Sequence, residues 1–210
     1  MSMGVMLSVQ PKWCEKIVNG EKTIEVRKTR PKLQTPFKCY IYCTKDKHLA
    51  FMQNRFGTKL IACMDAETAI PVGGAVGNGK VIGEFICDRI YELETKARGG
   101  SYYVKDEDQP TTNFVARQSC LDLKDMHGYL HAQKGYGWHI SGLRIYDAPR
   151  ELSEFWRSCP EYSELSTNCL LCENVCGDGD ETDCNTDGRL YLHRPPQSWC
   201  YVEEVRDEHC

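Results

Sequence analysis

Lys22, Glu25 and Arg27 fall within six residues of one another, and Arg30 follows closely. In the same stretch the apolar Ile24 and Val26 alternate with Thr23, Glu25, Arg27 and Thr29. An alternation of period two places the apolar pair on one face of an extended strand and the charged set on the other. A lysine beside a carboxylate has two uses. With its pKa lowered by burial or a nearby cation it acts as a base or electrostatic stabiliser, and otherwise the two form an ion pair. Lys22 and Glu25 are thus the candidate catalytic residues, with the ion pair as the alternative. Arg27 and Arg30 offer the guanidinium fork that suits phosphate or carboxylate. Trp138 and Tyr40 or Tyr42 offer rings on which a base stacks, although such rings serve equally in a core. His139 is an acid–base candidate on the strand face opposite Trp138, and Ser141, on the same face as His139, is a further ligand-binding candidate. No third partner for a triad is apparent. Thr23, Ser141 and Cys14 are conceivable nucleophiles, but their spacing singles out none of them.

The chain holds 13 cysteines. An odd number with no secretory leader points to reduced thiols or a metal. Cys39, Cys43, Cys63 and Cys87 sit in apolar strands and read as small buried hydrophobes. Cys159, Cys169, Cys172, Cys176, Cys184, Cys200 and Cys210 crowd the C-terminal end. The two-residue gap between Cys169 and Cys172 lets two thiolates share one tetrahedral ion. Cys159, Cys176, Cys184 and Cys200 are the candidates to complete a structural zinc site, four of these six thiols holding the metal. The alternative is a loosely folded tail of scattered thiols.

The elements that position these residues follow from pattern and breakers. Residues 4–9 read as a strand; Pro11 suits a first helical turn and Gly20 the residue past the helix end. Trp13, Ile17 and Val18 form that helix's buried stripe. A strand over 23–29 stops near Pro31. Residues 37–43 alternate Phe37, Cys39, Ile41 and Cys43 with Lys38, Tyr40 and Tyr42, which predicts a half-buried strand with an aromatic, basic outer face. The glycine-rich run at 72–79 lacks the Gly-Lys-Ser/Thr ending of a phosphate loop and reads as a connection. Residues 80–92 predict one long strand bent at Gly83, 120–132 a helix, and 138–146 a further strand.

The composition is 41% hydrophobic and 27% charged over 210 residues, which suits one domain plus an appendage. No apolar run approaches the roughly 20 residues that cross a bilayer. The N-terminus shows no basic leader or long apolar stretch, so the cytoplasm is the expected compartment. The net charge of −4 hides a division: residues 1–60 are basic, with 12 Lys+Arg against 4 Asp+Glu, while residues 151–210 hold 4 against 14. A basic block over the candidate site would draw a phosphate backbone, unless the two halves neutralise each other within the fold.

The pattern Gly20, Lys22, Glu25, Arg27 resembles the signature of the ASCH domain, a small family similar to the RNA-binding PUA domain. Leu7 to Pro11, Gly79 to Phe85 and Gly137 to Pro149 resemble that family's first strand, central strand and closing strand, and Pro196 to Val202 resembles the ending of prophage-type members. The resemblance implies an α+β fold: a PUA-like mixed β-barrel of about five to seven strands with two to four short helices over residues 1–155. Residues 156–210 would be an acidic, Cys-rich extension packed on it. It implies a protein that binds RNA or a nucleotide-like molecule in a basic cleft around the motif. A small hydrolase, acting on acetylated cytidine-type nucleosides or on RNA, and a phage-associated adaptor whose acidic tail binds a protein partner are the alternatives. In the amidohydrolase relatives a threonine occupies the place this chain fills with Glu25, a departure that removes the expected nucleophile.

Overall fold

The computed structural model describes residues 2–54, 57–62, 75–95, 102–105, 111–131, 133–159 and 188–205. The first half runs β1 (Met3–Val9), α1 (Pro11–Val18), β2 (Ile24–Arg27), β3 (Phe37–Cys43), β4 (Leu49–Asn54), β5 (Gly57–Ala62), β6 (Ala75–Val76) and β7 (Lys80–Cys87). The second half runs β8 (Ile90–Thr95), β9 (Tyr102–Val104), α2 (Thr112–Gln118), α3 (Leu123–Leu130), β10 (Gly135–His139), β11 (Ser141–Arg150), β12 (Trp156–Ser158), β13 (Arg189–Tyr191) and β14 (Trp199–Glu203). The class is α+β. A five-stranded sheet has the order β11-β7-β3-β1-β14, and a four-stranded sheet the order β2-β10-β8-β9. Smaller sheets pair β12 with β13 and place β4 between β5 and β6. All four sheets are open among the described residues.

Parallel pairing of β1 with β3 (Val5 opposite Cys39) sets the centre of the large sheet. Both strands are buried on both faces, which is where continuous apolar runs belong. One face carries Val5, Leu7, Val9, Cys39 and Ile41 against Trp138. The other carries Met6, Tyr40 and Tyr42 against Tyr146, Phe155 and Leu192. The aromatic outer face expected of residues 37–43 is therefore a second core, sealed by residues far along the chain. The tail closes the sheet as well: β14 pairs antiparallel with β1, Met3 opposite Glu203.

Two long strands expected from the sequence are each divided between the sheets. The 80–92 run breaks after Cys87, and the 138–146 run breaks at Ile140, whose amide donates to Thr23 O while the amide of His139 donates to Arg89 O. The expected bend at Gly83 is a register shift between β3 and β7. A β-carbon there would meet Arg144 O at 2.5 Å, so no larger residue fits without backbone movement. The helix expected over 120–132 is shorter and is preceded by α2, whose first turn is capped by Thr111 Oγ1 accepting from Phe114 N. No helix of the described residues is long and apolar enough to cross a membrane.

Candidate functional site

The turn after α1 aims the first of the charged residues. Gly20, at φ +73°, lets the amides of Glu21 and Lys22 both turn back to Lys16 O (2.9 and 3.0 Å), a close that a β-carbon would strain. Lys22 then lies buried, its Nζ donating to Ser119 O at 2.7 Å and Ile24 O at 3.0 Å. Ser119 ends α2, so the ammonium also meets the electronegative end of that helix. Its third neighbour is Glu25 Oε2 at 3.1 Å.

β2 divides its residues as the alternation requires. Ile24 and Val26 enter the core that Tyr91, Val115, Met126 and Leu130 form beneath the helices. Glu25 and Arg27 take the other face, where β10 lays Trp138 directly across from Glu25 and Tyr136 across from Arg27. Arg27 Nη2 stands 3.0 Å from Glu25 Oε1 and donates to Ser8 O at 2.7 Å. Arg27 Nη1 reaches Ser198 O and Ser198 Oγ at 3.3 Å each. Burial by itself would push the Glu25 carboxyl up, but Lys22 and then Arg27 outweigh it and hold the carboxyl below its ordinary value. Glu25 is thus an anion at neutral pH despite being only 7% exposed.

These side chains line a cleft of about 530 Å³. Lys22, Glu25 and Arg27 are its buried floor, while Lys12, Gln10, Asp125, Tyr129 and Gln197 form an exposed rim. Trp13 forms a half-buried wall, its ring centroid 4.7 Å from Lys12 Nζ and 5.1 Å from Lys22 Nζ. Buried side-chain polar atoms without a hydrogen-bond partner, among the described residues, are Glu25 Oε2, Arg27 Nε and Trp138 Nε1. All three belong to adjacent residues of the β2–β10 pair. Glu25 Oε2 is nonetheless engaged, since the third donor of the Lys22 ammonium faces it as an ion pair at 3.1 Å.

The structure thus brings Lys22, Glu25 and Arg27 together and places Trp138 behind them, fully buried and edge-on to Phe37 at 5.8 Å. It does not bring the remaining candidates there. Arg30 is exposed and reaches Glu92 at 3.7 Å. Tyr40 belongs to the second core, its hydroxyl accepting from Val205 N. Ser141 Oγ donates to Ile86 O, and His139 Nδ1 pairs with Asp88 Oδ1 at 2.6 Å. Of the conceivable nucleophiles, Thr23 Oγ1 is bonded to Gln118 Oε1. Burial, first of all, pushes the Cys14 thiol well up, and its Sγ donates to Val9 O. Of the six cysteines expected to hold zinc, Cys169, Cys172, Cys176 and Cys184 lie outside the described residues. Cys159 and Cys200 are half-buried. Among the described residues no three potential ligands come together.

The sequence pattern places Trp13 in the buried stripe of α1 and gives Lys12, Tyr129 and Gln197 no part in the site. For Trp13 and Lys12 a signal existed in their place on the first turns of α1, next to the strand end that carries Ser8 and Val9. Tyr129 and Gln197 arrive from distant segments, and nothing local marks them.

Residues 7–84 match the family model described as the ASCH domain. No curated protein matches the chain. Among solved structures, a tyrosine-to-phenylalanine mutant of the ASCH protein of Zymomonas mobilis is 16% identical, with 96% of this chain and 91% of that chain covered at a TM-score of 0.48. A serine-to-alanine mutant of the same protein is 14% identical, with 96% and 89% covered at 0.47. A further structure described as ASCH from that organism is 17% identical, with 98% and 89% covered at 0.43.

Proposed function

We propose that the ASCH domain this chain carries binds a nucleotide-like ligand, free or as one residue of single-stranded RNA, in the cleft above Lys22, Glu25 and Arg27. The observation that carries the reading is the cleft itself, which sets the half-buried Trp13 ring and the exposed Tyr129 ring around a buried, ion-paired floor of Lys22, Glu25 and Arg27. Aromatic rings at the wall and rim of a cleft are stacking faces for a base. The volume of about 530 Å³ is in the range of small-molecule sites. An extended phosphate backbone would instead need exposed cations along a groove, whereas two of the motif's cations are consumed within the fold.

Hydrolysis makes further demands. A lysine acts as a base only with a free lone pair, and the Lys22 ammonium spends its donors on Ser119 O, Ile24 O and Glu25. Cys14 and Thr23 are engaged elsewhere. Binding is therefore the reading the geometry carries further.

Calorimetric titration with a short single-stranded RNA and with mononucleosides tests it, using wild type and the exposed rim variant Tyr129→Ala. Saturable binding weakened about five- to tenfold by the substitution is expected, the scale of a lost ring contact. Binding indifferent to Tyr129 would place the ligand elsewhere. Turnover of acetylated cytidine or RNA in the same samples, lost in Lys22→Ala, would replace binding with catalysis.

A further inference from the structure

The two cations beside Trp13 differ in how firmly they are held. Lys22 Nζ is buried and fixed by two carbonyls and a carboxylate. Lys12 is exposed, and its Nζ rests over the Trp13 ring at 4.7 Å. A base arriving in the cleft can take the place of Lys12 on the indole, since every base offers a π-face. The floor cannot take the other end of the ligand. An anionic phosphate laid there would meet the ionised Glu25 carboxylate, with Lys22 and Arg27 already committed to it and to backbone carbonyls. Asp125 places a second carboxylate on the α3 side of the rim, leaving the α1 side, with Lys12, as the seat for an anion.

Resting on the reading above, we infer that the ligand enters base first. Its ring lies on Trp13, and its 5′-phosphate stays at the α1 rim. Lys12 exchanges Trp13 for that phosphate. It occupies the stacking face of the empty cleft and becomes the phosphate contact of the filled one. The sign of its effect thus depends on the ligand: Lys12 opposes a nucleoside and favours a nucleotide.

The experiment is a calorimetric titration of the full chain with the four common ribonucleosides, their 5′-monophosphates, ribose 5-phosphate and inorganic phosphate. Wild type is compared with Lys12→Ala and Trp13→Leu. In Lys12→Ala the nucleoside is expected to bind equally or up to about fivefold tighter, the scale of one exposed cation–π contact. The preference for monophosphate over nucleoside is expected to fall about fivefold. Trp13→Leu should weaken both ligands about tenfold or more. Inorganic phosphate and ribose 5-phosphate should not displace the nucleoside. Displacement by inorganic phosphate, or a Lys12→Ala loss equal for nucleoside and nucleotide, overturns the base-first orientation while the cleft remains a nucleotide site. Because Lys12 is exposed, its variant keeps the test open even if Trp13→Leu fails to fold. No binding of any nucleoside, nucleotide or single-stranded RNA overturns both statements.

Discussion

Glu25 is the residue on which the site balances, because it holds two cations in a place with little water. Removing one partner of a buried ionic group typically costs about 3–5 kcal/mol, since the remaining charge is left uncompensated. Glu25→Gln is therefore expected to lower unfolding stability by about that amount at pH 7, read by urea denaturation. The pH dependence has a definite sign. The Glu25 carboxyl is held below its ordinary value, first against burial and then by Lys22 and Arg27. The stability it contributes is present above the ordinary carboxylate range and is lost as pH falls through the lower folded value. The gap between wild type and Glu25→Gln should accordingly narrow in acid, and a constant gap would show that Glu25 is not ionised in the fold. The residues of this triad were legible in the sequence, because apolar alternation and clustered charge coincided in one short stretch. Their burial was not: the partners that cover them, Ser8, Ser119 and Ser198, come from three distant segments.

Elements reach the cleft through turns whose backbone tolerates few residues. Gly20 ends α1 in the left-handed region with open space around it, so Gly20→Ala should cost about 1–2 kcal/mol through conformation alone. Gly83 is a different case, with Arg144 O occupying the space of a β-carbon. Gly83→Ala is expected to destabilise more than Gly20→Ala, in the same denaturation assay, because β7 must move away from β11. Equal losses would contradict the close approach. Helix α1 and strands β1, β2 and β3 could be read from pattern, since each satisfies its period locally. The division of the 80–92 and 138–146 runs could not, because apolar periodicity continues where the chain passes from one sheet to the other. What breaks each strand is a long-range hydrogen bond, such as Ile140 N to Thr23 O.

Across the whole molecule, the two ends of the chain are structurally joined. β14 forms an edge of the large sheet beside β1, and Val202 and Leu192 fill the second core. The segment before β14 walls the cleft: Ser8 Oγ donates to Pro196 O at 2.6 Å, and Gln197 lies on the rim. A chain truncated after residue 155 is expected to lose cooperative unfolding, which differential scanning calorimetry would register. A sharp transition in that fragment would show that the first 155 residues fold alone. The basic charge of the first 60 residues is met outside the acidic tail: Lys22 and Arg27 are neutralised by Glu25, Arg30 reaches Glu92 and Lys38 reaches Glu84. The most direct measurement of the site's role is an NMR titration of the full chain with single-stranded RNA and with mononucleosides. Shifts at the Trp13 indole and at Lys22, Glu25, Arg27 and Tyr129 that saturate together are predicted. Unmoved resonances at these five residues while the exposed Arg30 and Lys32 respond would contradict the account.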